Sequence, residues 1–126
     1  MHLNEISGQV VDCALRVHTR LGPGLLESCY EACLAYELTQ RGLRVQTQVL
    51  QPVIYDAVRI DVGYKLDLVV QESVIVELKA VETILPIHKA QIITYLKLSD
   101  KRVGIPINFN VVRLKDGIHR FANKVI

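Results

Sequence analysis

Two short segments of the chain place charged side chains among apolar, β-branched residues. Asp67 lies in the segment YKLDLVV, and Glu77 and Lys79 lie in VIVELKA. A lone charge is costly to bury, so such residues are either paired with one another or functional. The period of a strand puts Glu77 and Lys79 on one face, and a neighbouring antiparallel strand can bring Asp67 alongside. The pattern predicts two carboxylates and one ammonium group at one spot.

Two carboxylates beside a lysine suit metal-dependent chemistry on phosphate. Hard carboxylate oxygens bind Mg²⁺ or Mn²⁺, which keep several waters and accept phosphate oxygens as further ligands. The cation acidifies a bound water and offsets the charge that develops on phosphorus. Lys79 could orient or deprotonate that water, or stabilise the transition state. A structural ion-pair cluster at a sheet edge is the alternative, and spacing alone does not decide between the two.

The period of the apolar residues predicts the elements that position this spot. Helical spacing in the N-terminal part gives way to strand-like alternation with β-branched residues. The predicted order is helix 4–21, helix 26–41, strands 43–55, 58–70 and 73–80, helix 88–98, strand 103–109, and a hairpin over 111–121 that turns at Asp116-Gly117. We expect an antiparallel meander of the three strands, and a third helix with Ala90, Ile93 and either Leu96 or Lys97 on its inward side. Residues 1–126 are expected to form a single α/β domain.

The charged residues of the strands carry a resemblance to a known family. Asp67 followed by Glu77-Leu78-Lys79 resembles the Asp…Glu-x-Lys signature of the PD-(D/E)XK nuclease superfamily. Leu66 stands where the proline in the family name would precede Asp67. The resemblance implies a restriction-endonuclease-like core of helix, three-stranded meander, helix and strand. Here that core would have an extra N-terminal helix and a C-terminal hairpin.

Two further motifs strengthen the resemblance. The segment QIITY, from Gln91 to Tyr95, resembles the Gln-x-x-x-Tyr motif of RecB-like members. The segment GLLE, from Gly24 to Glu27, is similar to the helix start of Holliday-junction resolvases and other exonuclease-like members. The whole chain also resembles the short bacterial proteins called GxxExxxxY proteins, which are assigned to this superfamily. Ala32 is a departure, because the tyrosine of that name cannot be placed there.

The resemblance implies roles for individual residues. The implied metal ligands are Asp67, Glu77, the carbonyl of Leu78, and Glu27 either as a ligand or as the neighbour of one. Lys79 would act on the attacking water, and Gln91 and Tyr95 would position Lys79, the metal waters or a phosphate. Glu31 lies one helical turn after Glu27 and could replace it. His88 is expected to cap the third helix, with a ligand role as the less favoured alternative.

Charge is unevenly distributed along the chain, although the net charge is only +2. Residues 1–87 hold seven Lys or Arg against eleven Asp or Glu, whereas residues 88–126 hold eight against two. This polarity suits a protein that binds cations in one part and a polyanion in the other. A solvated basic face without a partner explains it equally well. The candidate phosphate contacts are Lys97, Lys101, Arg102, Arg113, Lys115 and Arg120.

The sequence also excludes some classes of protein. No apolar run approaches the roughly 20 residues that span a bilayer, and the N-terminus lacks a basic-then-apolar signal. We therefore expect a cytoplasmic protein with no membrane partner. The three cysteines have no matching histidine or cysteine pair downstream, which argues against a zinc site.

The interpretation that accounts for all these features is a Mg²⁺- or Mn²⁺-dependent nuclease. It would hydrolyse phosphodiester bonds in nucleic acid, with DNA as the expected substrate. Few aromatic residues and no predicted base-reading motif indicate little sequence specificity. A non-catalytic module on the same fold that binds nucleic acid or protein is the alternative, and a metal-dependent hydrolase of a small phosphoester is a third possibility. Whether the chain is a monomer or a homodimer stays open.

Overall fold

Two helices begin the chain and pack against each other. The computed structural model describes residues 1–123, so the last three residues of the expected domain lie outside the described residues. Helix α1 spans Leu3–Leu21 and helix α2 spans Glu27–Gln40. Between them Gly24 has a φ of 96°, a left-handed value that glycine adopts at little cost. Among residues 1–123, none of the helices is long and apolar enough to cross a membrane.

A five-stranded sheet follows the two helices, in the order β1-β2-β3-β4-β5. Its strands are β1 Val45–Tyr55, β2 Val58–Val70, β3 Val74–Lys79, β4 Val103–Asn108 and β5 Phe121–Ala122. The first three strands are antiparallel neighbours, as their alternation and short turns predicted. Helix α3, Pro86–Ser99, crosses over from β3 so that β4 lies parallel to it. The mixed α/β order of elements predicted from the sequence is therefore confirmed.

Helices cover both faces of the sheet and divide the core in two. The residues that pack with α1 and α2 on one face include Leu68, Val76, Leu78, Ile105 and Ile107. The residues that form the smaller core with α3 on the other face are Leu66, Val69, Ile75, Ile92 and Leu96. Successive residues of β3 alternate between the two cores, as the pleat of a strand requires. Both helical layers therefore lie close to the strands that carry the charged residues.

The inward face of α3 differs from the predicted one. Leu96 is buried, as one of the predicted alternatives had it, but Ile93 is 50% exposed, Ala90 is exposed, and Ile92 is buried in their place. Apolar residues occur on more than one side of this helix, so its sequence period alone did not identify the packed side. Gly104 in β4 allows the close approach, because a Cβ at that position would lie 2.6 Å from Cγ1 of Ile92. Packing against the sheet thus sets the rotation of α3.

The C-terminal segment also takes a form different from the predicted hairpin over 111–121. Asp116 and Gly117 belong to a short 3-10 helix, Leu114–Gly117, and do not form a turn between two strands. The returning chain pairs antiparallel with β4 instead, first through Ile118 and then through β5. The prediction of a local hairpin was wrong because β4 offers a free edge, and pairing there buries Leu114 against the core.

Candidate active site

The candidate site lies at a fork in the sheet, the point beyond Leu68 and Val76 where β2 and β3 separate. The pairing of the two strands runs from Val70 opposite Val74 to Leu68 opposite Val76, and ends there. Beyond that point the backbone N–H of Leu78 donates to Oδ2 of Asp67 at 2.8 Å, and the N–H of Asp67 donates to Oε1 of Glu77 at 3.4 Å. Each carboxylate thus accepts a backbone N–H of the opposite strand, which holds both side chains at the same point.

Glu77 is the buried member of this pair, with 5% of its surface exposed. Burial, reinforced by the carboxylate of Asp67, raises the pKa of Glu77 to about 9. Both effects disfavour a second negative charge beside the first. The ammonium group of Lys79 acts in the opposite direction and more weakly. The two carboxylates are therefore a pair that a cation would stabilise.

Lys79 is the last residue of β3 and is half-buried beside α3. Its Nζ donates to Oε1 of Gln91 at 3.2 Å. Tyr95 lies one turn further along the helix, and its pKa is raised by burial first and then by the charges of Glu77 and Asp67. A hydrogen bond with Gln91 acts against that rise. The structure thus brings Gln91 and Tyr95, the first and last residues of the segment QIITY, to the fork on the face of the sheet opposite α2.

Tyr64 is a further residue at the site, which the sequence did not single out. Its ring stacks on that of Tyr95, with centroids 4.2 Å apart and planes 5° from parallel. Its hydroxyl donates to the backbone carbonyl of Tyr95 at 3.4 Å. Burial, followed by the neighbouring Tyr95 and Glu77, raises the pKa of Tyr64 to about 12. A tyrosine in a β-strand is so ordinary that no signal in one sequence could have identified this one.

Gln48 in β1 is the other residue that sequence reasoning missed. Its side-chain amide donates to Oε1 of Glu31 and, at 3.3 Å, to Oδ1 of Asp67. Its φ of 50° lies in the left-handed region, where a non-glycine residue costs about 1–3 kcal/mol. Thr47 and Val49 pair with β2 on either side of it, and Gln48 itself does not. A local irregularity of β1 therefore directs this amide to the carboxylates.

A cavity of about 270 Å³ opens beside Asp67. Its lining residues are Glu27, Ser28, Glu31, Gln48, Asp67 and Leu78. Glu27 is the first residue of α2 and is exposed, whereas Glu31 is half-buried and joined to Asp67 through Gln48. The α2 carboxylates therefore form one wall of the cavity, and Asp67 and Leu78 form the opposite one.

The side chains of this cavity fit a hard divalent cation. They offer the carboxylate oxygens of Glu27, Glu31 and Asp67, and carboxylate oxygens are a ligand type that Mg²⁺ prefers. Within residues 1–123, no three His, Cys, Asp or Glu side chains converge as a ready-made metal centre. Mg²⁺ tolerates such a site, because it keeps several waters and needs only one or two carboxylates in addition to phosphate oxygens.

Asn108 fixes the chain that follows Lys79. It is buried and lies opposite Lys79 in the parallel pairing of β3 and β4. Its amide accepts from the N–H of Val81 at 3.1 Å and donates to the carbonyl of Val81 at 2.8 Å.

His88 lies within the first turn of α3, where its Nδ1 accepts from the N–H of Leu85 at 3.0 Å. His88 therefore caps the helix, and the cavity next to Asp67 does not include it.

The candidate phosphate contacts do not form one patch in the structure. Lys101 and Arg102 precede β4 at the end where Val74 begins β3, and Nζ of Lys101 donates to the carbonyl of Glu72 at 2.8 Å. Lys79 lies five residues after Val74 in β3, which is roughly 17 Å from that end of the sheet at the rise of an extended strand. Arg120 is bound to α1, because it donates to Oδ1 of Asn4 at 3.1 Å.

The other three candidates also lie at different ends of the sheet. Lys97 is exposed in the last turn of α3, at the end of the sheet where Lys101 lies. Arg113 and Lys115 are exposed in and just before the 3-10 helix, which follows the end of β4 that lies opposite Lys79. The basic residues of 88–126 are therefore distributed around the sheet and are not clustered at the fork.

The chain matches a known protein family. A family model described as the PD-(D/E)XK nuclease superfamily matches residues 4–121. No curated protein and no solved structure matches the chain. The matched range includes the fork, the cavity and α3. With three helices and a five-stranded sheet among the described residues, the fold is consistent with the restriction-endonuclease-like architecture of that superfamily.

Proposed function

The chain belongs to the PD-(D/E)XK nuclease superfamily, and we propose that it is a divalent-metal-dependent nuclease acting on DNA with little sequence specificity. The observation that carries this proposal is the contact between Asp67 and Glu77 at the fork. Lys79 lies two residues after Glu77 and therefore on the same face of β3. Two carboxylates that bind a cation and one ammonium group that stabilises an anion suit the metal-dependent hydrolysis of a phosphodiester.

We assign the metal to Asp67 and Glu77, with the carbonyl of Leu78 and the carboxylate of Glu27 as further ligands. A divalent cation at this position would supply positive charge against the phosphate and would acidify the attacking water. The ion is Mg²⁺, or Mn²⁺ in its place, because the donors are oxygens. The cavity between the α2 carboxylates and Asp67 leaves room for the waters of such an ion and for a phosphate oxygen.

Lys79 acts on the water that attacks phosphorus, or on the charge of the transition state. Gln91 positions it, since the amide oxygen accepts from Nζ and leaves the other protons of the ammonium group for water or phosphate. Tyr95 supports this arrangement from the next turn of α3, where Tyr64 stacks on its ring. The contacts of Gln91 and Tyr95 support the finer proposal that the segment QIITY is the RecB-like motif. The position of Glu27 in the cavity lining supports the proposal that GLLE is the GxxE-type motif.

Metal-dependent cleavage is the direct test of this proposal. We expect the purified chain to cut single-stranded, duplex or branched DNA with Mg²⁺ present, to stop when EDTA removes the ion, and to resume when Mg²⁺ or Mn²⁺ is restored. The measurement is the release of labelled fragments from each substrate over time. Binding of the same DNA without cleavage under every metal condition would favour the alternative of a non-catalytic binding module.

Binding to nucleic acid should depend steeply on salt, because bound lysines and arginines release counterions from phosphates. We expect the double variant Lys101→Glu, Arg102→Glu to weaken DNA binding with little regard to sequence, and to reduce the slope of log Kd against log salt by about 1 for each lost phosphate contact. The matched control is Arg20→Glu, Arg59→Glu, which makes the same charge change at residues outside the candidate set. Equal effects of the two double variants would show that only net charge matters.

The sequence leaves both a monomer and a homodimer open. The mass of the purified chain in solution, measured by light scattering over a range of concentrations, distinguishes them independently of activity.

A further inference from the structure

Both oxygens of the Asp67 carboxylate have a defined donor in the structure. Oδ2 accepts from the backbone N–H of Leu78 at 2.8 Å, and Oδ1 accepts from the side-chain amide of Gln48 at 3.3 Å. The first donor belongs to the strand that carries Glu77. The second comes from β1, on the other side of β2. The plane of the carboxylate is thus fixed from both sides.

The backbone of Gln48 is arranged for this contact at the expense of regular pairing. Its φ of 50° is left-handed, a conformation that a glutamine in a regular strand does not adopt. Its neighbours Thr47 and Val49 keep their partners in β2. Strain that is confined to one residue and persists between paired neighbours is typical of a functional constraint.

The same amide group reaches α2. It donates to Oε1 of Glu31 as well as to Asp67, and all three residues line the cavity of about 270 Å³. A neutral amide brings two N–H donors to two carboxylates without adding a charge that would compete with a cation. Residues that hold a metal ligand in place commonly change metal affinity by roughly 10–100-fold when they are replaced.

We propose that Gln48 is a positioning residue for the site: it orients the Asp67 carboxylate and couples it to Glu31 on α2. This inference rests on the proposed function, since it concerns how that site is organised to bind its cation. It also accounts for the left-handed backbone, which no packing requirement of the exposed Gln48 side chain explains. Gln48 contacts no reacting group and acts only through the two carboxylates.

The test compares four variants of the full chain by three measurements. Gln48→Met keeps the length of the side chain but has no amide, Gln48→Glu replaces the donor by a third carboxylate, and Gln48→Gly removes both the side chain and the strain. Gln46→Met is the matched control, because Gln46 is an exposed glutamine two residues earlier in the same strand. The measurements are the affinity for Mn²⁺ alone, by calorimetry, the Mg²⁺ concentration that gives half-maximal cleavage, and the temperature of thermal unfolding.

We expect Gln48→Met and Gln48→Gly to weaken Mn²⁺ binding by at least about 10-fold and to raise the half-maximal Mg²⁺ concentration, with a smaller change in the rate at saturating Mg²⁺. Gln46→Met should leave both values unchanged. Gln48→Gly should also unfold at a higher temperature than Gln48→Met, because both lack the amide and only glycine adopts the left-handed φ without strain.

The outcomes separate this inference from the proposed function. Unchanged Mn²⁺ affinity in Gln48→Met, with a wild type that binds Mn²⁺ and cuts DNA, overturns the positioning role and leaves the nuclease intact. Equal losses in Gln48→Met and Gln46→Met overturn it as well, since they would point to a general effect of altering β1. A wild type that neither binds Mn²⁺ nor cuts DNA overturns the proposed function itself.

Discussion

Replacing Lys79 by alanine is expected to lower the rate of DNA cleavage by about 100-fold or more, the scale on which enzymes lose a positioned acid, base or electrostatic stabiliser. The fold should tolerate the change, because Lys79 is half-buried at the end of β3 and its ammonium contacts the side chain of Gln91. DNA affinity should change little, since one charge among several phosphate contacts is lost. The measurements are single-turnover cleavage at saturating Mg²⁺, DNA binding, and thermal unfolding.

Lys89→Ala is the matched control for this variant. Lys89 is an exposed lysine at the start of α3, outside the cavity beside Asp67. The control should cleave DNA at nearly the rate of the wild type. A Lys79→Ala variant that is merely destabilised, and that cleaves normally wherever it is folded, would assign Lys79 to a structural ion pair.

Glu77→Gln is expected to raise the stability of the metal-free protein at neutral and alkaline pH while it abolishes cleavage. Burial and the Asp67 carboxylate raise the pKa of Glu77 to about 9 in the folded state, against an ordinary value of 4.5. Between these two values the folded state holds a proton that the unfolded state releases. The free energy of unfolding therefore falls as pH rises through this window, by at most ~1.4 kcal/mol per pH unit.

The glutamine variant has no such proton to lose, so its stability should be nearly independent of pH between about 5 and 9. The measurement is urea unfolding in EDTA at pH 5, 7 and 9 for the wild type and for Glu77→Gln. Added Mg²⁺ should stabilise the wild type, because an ion that binds only the folded state shifts the equilibrium toward it. A variant less stable than the wild type at every pH would identify Glu77 as a partner in a structural ion pair, with no unfavourable buried charge.

Much of the fold follows from local properties of the sequence. Alternating apolar, β-branched residues can bury one face of the chain as a strand but not as a helix. The predicted strands 43–55, 58–70 and 73–80 therefore agree with the observed strands to within about two residues. The glycine-rich break after Leu21 ends α1, and Gly42 follows α2, for equally local reasons. The rotation of α3 and the partner of the C-terminal segment depend on distant contacts with β4, and both were predicted wrongly.

The sequence by itself determined which charges belong together. Asp67, Glu77 and Lys79 stand among apolar residues on two strands joined by a short turn, and a charge in such a place has few partners other than its neighbour across the turn. That argument is local, because adjacent antiparallel strands are close in sequence as well as in space.

Only the tertiary structure decided how these charges are held. The left-handed Gln48 on a third strand and the stacking of Tyr64 on Tyr95 each join segments that are far apart in the chain. A glutamine or tyrosine in a strand has the same local signal whether it points to solvent or to a carboxylate. Such contacts arise from the three-dimensional packing of strands and helices, so the period and composition of a single sequence carry no trace of them.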